Sequence, residues 1–291
     1  MLKKLLHQLC KERPEKLRHA TWTFQQVTDY GRFHHRLPYE FNFWAMTNLP
    51  PRSGLHRLVD LAGKRTATFT TISHEAARNG WLPENFDQWH LIDSEGLTVA
   101  HALVEGIAAG HSSLPARLPE DFWSMRGEAA GDFFPLPVVH HAVEAGYPCE
   151  AFTSEIWAIR DAVGQTAAHR AALLGRLPDN FQDWGLRDAK MNAVAHVTAL
   201  QGSLPERFDA WTFVDEEGAH WPGWMMRNDY GDTVAHLAAK KGLIPASFGR
   251  HALWNMADQR NQSVIEVARR RGHVHLMEQH QRDLEARAAT I

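Results

Sequence analysis

Nineteen histidines give this chain an unusual chemical endowment, because neutral imidazole is a common transition-metal ligand and titrates close to neutral pH. Their spacing argues for another use. His74, His140, His169, His196 and His236 open the phrases HEAARNG, HHAVEAG, HRAALLG, HVTALQG and HLAAKKG, and His101 closes the related phrase DSEGLTVAH. In the last copy, EVARRRG, Glu266 stands where the His would be. Equivalent positions in successive packed units lie about 10 Å apart, whereas zinc draws its ligands in to about 2 Å. Six in-register imidazoles therefore do not converge on one ion. The remaining metal candidates are His34, His35 and His141, with His273, His275 and His280. No carboxylate motif accompanies them, so no metal is expected and they are read as surface histidines.

Nucleophilic and phosphate chemistry find no better footing. The chain has no G-x-S-x-G elbow, no G-x-x-x-x-G-K-[ST] loop and no G-x-G-x-x-G fingerprint. Its two cysteines, Cys10 and Cys149, form no CxxC pair, and Glu150 beside Cys149 opposes a thiolate. Carboxylate neighbours such as Glu120 and Asp121, or Glu216 and Glu217, sit where turns and helix starts account for them. No catalytic residue and no cofactor is expected, and the chain is read as a non-enzyme.

Composition narrows the class further. At 291 residues and 44% apolar content the chain is long and hydrophobic enough to bury a core. A net charge of −3 supplies no global field for nucleic acid or an anionic membrane, so neither is an expected partner. The N-terminal MLKKLLHQLCKERPEK returns to charge after a short apolar stretch, unlike a secretory leader. A cytoplasmic location is the expectation. Protonating every His would turn the net charge strongly positive, which predicts pH-dependent behaviour unless the histidines are buried.

Two further phrases organise the chain. WLPENFDQW (81–89), RLPDNFQDW (176–184), SLPERFDAW (203–211) and the looser LIPASFGRHALW (243–254) follow the glycines. DSEGLTVAH (93–101), DAVGQTAAH (161–169) and NDYGDTVAH (228–236) precede the histidines. Asp161, Asp188 and Asp215 are spaced by 27 residues. The pattern D-x-x-G-x-T-x-x-H-x-A-A-x-x-G resembles the first half of an ankyrin repeat over roughly residues 66–272. The resemblance implies that each His fixes its turn through the Thr three residues earlier, here Thr98, Thr166 and Thr233.

An all-α fold follows from this resemblance, a helical-repeat solenoid of ankyrin-like helix-turn-helix units with irregular insertions at 106–131 and 216–227. Gly80, Gly175, Gly202 and Gly242 end the first helix of their units. Pro83, Pro119, Pro178, Pro205 and Pro245 open a second helix of about two turns. Ala pairs at 76–77, 171–172 and 238–239 thin the packing face. Phe86, Phe181, Phe208 and Phe248, with Trp89, Trp184, Trp211 and Trp254, fill the layer between units. Residues 1–65 are expected to be degenerate N-terminal capping repeats, 66–272 the array, and 273–291 a C-terminal capping helix, all in one elongated domain.

By the same resemblance, binding residues fall at turn tips and helix ends. The tips carry Ser94, Glu95 and Leu97, then Ala162, Val163 and Gln165, then Ala189, Lys190 and Asn192. Further on they carry Asp229, Tyr230 and Asp232, then Gln259, Arg260 and Gln262. Arg78, Lys240, Lys241, Arg270 and Arg271 stand at helix ends, where the last four, with Arg269, make a basic patch suited to an acidic protein segment. The segment AHWPGWMMR (219–227) offers Trp221 and Trp224 either as interface anchors or as plugs for a collapsed repeat. The expected function is a non-catalytic protein-protein interaction module, an adaptor, inhibitor or immunity-type protein, with an unidentified protein partner. A His-rich metal binder or metal-dependent enzyme is the alternative class, and a secreted host-directed effector a further one.

Overall fold

A computed structural model describes residues 24–34, 37, 70–128, 136–251 and 253–289. Most of the expected capping segment 1–65, with Cys10 and His35, lies outside the described residues. The chain divides into two compact units, Met1–Pro148 and Cys149–Ile291. The first holds α1 (Phe24–His34), α2 (Ile72–Asn79), α3 (Val99–Ala108) and α4 (Val138–Ala145). The second holds α5 (Ser154–Trp157), α6 (Ala167–Leu174), α7 (Val194–Gln201), the strands β1 (Thr212–Val214) and β2 (His220–Pro222), α8 (Val234–Lys241), α9 (Val264–Arg270) and α10 (Val274–Ala288). Helix dominates the described residues, and within each unit every α-helix packs against the next α-helix in sequence.

Each main helix begins and ends for a local reason. Thr166 and Thr233 sit in extended conformation at the N-cap, and their hydroxyls accept from the His169 and His236 main-chain N–H groups. Where Glu266 replaces the His, it closes the same box with Ser263: the Ser263 N–H donates to Glu266 Oε2 at 2.7 Å, and Ser263 Oγ accepts from the Glu266 N–H. At the other end Gly80, Gly146, Gly175, Gly202 and Gly242 adopt φ from 65° to 87°, the left-handed cap that a Cβ would oppose.

The second half of each unit departs from the helix-turn-helix expectation. Pro83, Pro119, Pro178, Pro205 and Pro245 do not open a two-turn helix. Instead the Pro carbonyl accepts from the Phe main-chain N–H three residues on, at 2.9–3.1 Å, as in Pro178 with Phe181. The result is a turn at 178–181 and short 3₁₀ segments at Phe122–Ser124, Glu206–Ala210 and Ala246–His251. Too few residues separate the proline from the following Trp to offset the cost of nucleating an α-helix.

Those turns deliver aromatic rings into a continuous edge-to-face series. In the second unit it runs Phe152–Trp157–Phe181–Trp184–Phe208–Trp224–Phe248–Trp254, with centroids 4.9–5.7 Å apart. In the first, Phe86, Trp89, Phe122, Trp123 and Tyr147 do the same. Each such contact adds about 1 kcal/mol beyond the area it buries. Ala76, Ala77, Ala171, Ala172, Ala238 and Ala239 are fully buried, so neighbouring helices approach closely over them.

Among the described residues the chain is mostly helical, as expected, with one short two-stranded sheet. Residues 212–222 form an antiparallel hairpin pairing Thr212 with Pro222, Phe213 with Trp221 and Val214 with His220. Trp89, Trp157, Trp184, Trp224 and Trp254 each precede their turn Asp or Asn by four residues. Trp211 has the same spacing to Asp215, so the hairpin duplicates the phrase, and Trp224 takes the interior slot that the repeat pattern assigned to Trp211.

Candidate interaction surface

The turns preceding the helices are built by one carboxylate or amide each. Asp188 Oδ1 accepts from the main-chain N–H of Lys190 and of Asn192, both at 2.8 Å. Asp161, Asn228 and Asp258 make the equivalent pairs in the same unit, and Asp93 does so in the first. With the polar backbone satisfied internally, the third residue of each turn is left to project outward. Val163 is 71% exposed and Tyr230 60%, with Lys190 and Arg260 exposed at the matching positions. The next residue adopts positive φ; it is Gly164 and Gly231 in two turns but Met191 (φ 54°) and Asn261 (φ 56°) in the others.

An arginine ladder holds these turns in register. Arg160 donates to the Gly164 carbonyl of its own turn at 2.7 Å and to the Arg187 carbonyl of the next at 2.6 Å. Arg187 repeats this with Met191 and Arg227, and Arg227 with Gly231 and Ala257. Sequence reading missed these residues, although an Arg directly before the turn Asp or Asn in RDAVG, RDAKM and RNDYG was a visible signal.

The repeat histidines occupy the interior beneath the turns. His101, His169 and His236 place Nδ1 2.7 Å from the hydroxyl of Thr98, Thr166 and Thr233. Their Nε2 donates to the carbonyls of Leu136, Asn192 and Gln262, each two residues ahead of the following helix. Because a carbonyl only accepts, Nε2 carries the proton, and the Thr98 and Thr233 main-chain N–H groups donate to Nδ1 of His101 and His236, which leaves those two rings neutral with both nitrogens engaged. His74 joins Thr71 to Leu97 in the same way. Burial lowers the pKa of all these rings, to about 4 for His101. His196 accepts the Ala193 N–H on Nδ1, and its buried Nε2 has no hydrogen bond of good geometry among the described residues. Burial pushes it down to about 4 as well, against the Met226 and Asp232 backbone, which favours the protonated form.

Several expected binding residues are committed elsewhere. Ser94 is buried, because its side of the turn faces inward, while Glu95 beside it is exposed. Asn192 is half-buried, donating to Asp188 and accepting from Asn228, and Gln165 is half-buried as well. Asp232 and Lys240 pair with each other at 2.6 Å, so Lys240 is not a free cation. Trp224 is 2% exposed and donates Nε1 to Asp209, which makes it a plug and not a contact residue. Trp221 stays 40% exposed on the hairpin with its Nε1 on Asp215. Lys241, Arg270 and Arg271 are exposed at the ends of α8 and α9, as is Arg269.

The first unit uses the corresponding helix ends differently. Glu105 on α3 accepts from Arg78 on α2 and His141 on α4, both at 2.9 Å. Burial opposes its ionisation, but the bonds from His141 and Arg78 prevail and hold its pKa to about 2. This cross-link takes His141 from the metal candidates. Cys149 is buried, and burial with Glu150 nearby pushes its thiol up to about 12. Among the described residues no group of three His, Cys, Asp or Glu side chains is placed to hold a metal, and no helix is long and apolar enough to cross a membrane. The chain matches no protein-family model and no curated protein.

Proposed function

We propose that this chain is a non-catalytic protein-interaction module of ankyrin-repeat type, binding a protein partner through its turn tips and the adjoining helix ends. The observation that carries the reading is the division of labour in the second unit. Asp161, Asp188, Asn228 and Asp258 satisfy the turn backbone, and the Arg160–Arg187–Arg227 ladder fixes the spacing. Val163, Lys190, Tyr230 and Arg260 then project from an ordered framework that does not use their side chains. Large exposed side chains on a rigid, regularly spaced support suit recognition at low entropic cost.

The test is a pull-down from native lysate with quantitative mass spectrometry. It compares wild type with a variant carrying Val163→Ser, Lys190→Glu, Tyr230→Ala and Arg260→Glu. The reading expects proteins enriched by wild type and lost from the variant, at unchanged Tm. An identical set retained by the variant would refute it.

A further inference from the structure

A break in a packing rule marks a groove. In the second unit the residue after each helix-terminal glycine lies over the preceding unit's glycine: Leu243 covers Gly202 and His273 covers Gly242. Ser203 occupies that position for Gly175 and leaves it open. The space so created is a groove of about 110 Å³ whose lining includes Leu177, Pro178 and Trp184 on one side and Ser203 and Pro205 on the other, with Asp179 and Arg207 supplying one charge of each sign. Leu174 precedes Gly175 and is exposed, as are Leu200 near the end of α7 and Leu243 after α8. Apolar surface therefore continues from the groove toward α8, and beyond it stand the exposed cations Lys241, Arg269, Arg270 and Arg271.

Resting on the interaction reading above, we propose that this groove takes the apolar anchor of an acidic segment from a partner protein. A leucine or aromatic side chain enters over Gly175, the intervening residues cross Leu200 and Leu243, and a run of Asp or Glu meets the cations of α8 and α9. Charge complementarity selects this occupant, because the exposed basic groups converge at one end of an apolar path. Packed helices are spaced by about 9 Å, so Lys241 at the end of α8 lies about 18 Å from Gly175 and the cations of α9 about 27 Å, the reach of about five to eight extended residues at about 3.3 Å each. The segment thus carries its acidic run about five to eight residues from its anchor.

A phage-displayed random dodecapeptide library, selected on the full chain, supplies the probe, and fluorescence anisotropy then measures the winning peptide against variants. Ser203→Leu fills the groove as Leu243 does over Gly202, and it preserves the fold, which Tm verifies. The expected winners combine an apolar anchor with an acidic run at that spacing. Their affinity falls by at least about tenfold with Ser203→Leu and with Arg270→Glu plus Arg271→Glu, and it weakens with salt. Absence of any enriched peptide overturns the groove, as does a winner indifferent to Ser203→Leu. Winners indifferent to Ser203→Leu but lost when Tyr230 and Arg260 are changed overturn the groove while leaving the interaction reading intact.

Discussion

His169 joins its own helix cap to the following turn: its Nδ1 accepts from the Thr166 hydroxyl at 2.7 Å and its Nε2 donates to the Asn192 carbonyl at 2.8 Å. One neutral ring thus links residues separated by 23 positions. His169→Ala removes both bonds and leaves a cavity, and it should cost about 3 kcal/mol in urea unfolding. A loss below about 1 kcal/mol would show that the ring is not a structural link.

The same burial makes stability depend on pH. The folded pKa of His101 and His196 is about 4, below the ordinary value of 6.5, so between those values the unfolded chain binds protons that the folded chain refuses. The contribution is complete above pH 6.5 and is lost as pH falls toward 4, about 3 kcal/mol for each ring. Denaturant midpoints measured across that range should fall steadily with acidification. A flat profile would mean that the rings are not held neutral.

Arg187 should matter through geometry more than charge. Its Nη1 donates to the carbonyls of Met191 and Arg227 at once; the planar guanidinium holds those two N–H directions fixed, whereas an ammonium on a flexible stem is not so aimed. Arg187→Ala is expected to cost about 1 kcal/mol, and Arg187→Lys to recover less than half of it. Equal stability of the Lys variant and wild type would reduce the ladder to electrostatics.

Met191 holds φ 54° where Gly164 and Gly231 occupy the matching turns. Left-handed backbone costs an L side chain about 1–2 kcal/mol, partly offset in glycine by chain entropy. Met191→Gly should therefore raise stability by roughly 0.5–1 kcal/mol. If Met191 contacts the partner, binding weakens in the same variant, so calorimetry and pull-down together separate the two roles.

The two neighbouring tryptophans make a sharper contrast. Trp224 lies edge-on between Phe208 and Phe248, whereas Trp211 stacks on Phe208 at the base of the hairpin. Trp224→Ala should cost about 4 kcal/mol and Trp211→Ala clearly less in the same unfolding assay. The reverse order would place the interior slot at Trp211.

Much of this architecture was legible because it is local. A turn Asp, a Thr cap, a His three residues later and a terminal Gly interact within a few positions, so their spacing alone specifies turn, helix start and helix stop. Even the exception at Glu266 reads as a capping box with Ser263. The second helices were misjudged because proline position resembles a helix start, yet the chain available after it closes only one turn on the Phe N–H.

What the amino-acid order determined by itself is the repeated phrase and the in-register placing of one histidine in most of its copies. Tertiary structure decided which copy of a duplicated phrase enters the core, sending Trp224 inward and leaving Trp211 half-buried at the base of the hairpin. It also paired Lys240 with Asp232, tied Glu105 to two other helices, and left Gly175 uncovered beside Ser203. The Glu105 links and the gap over Gly175 depend on how one repeat meets the next, across 27 to 36 residues. Local propensity carries no information about that register, and packing between units selects it.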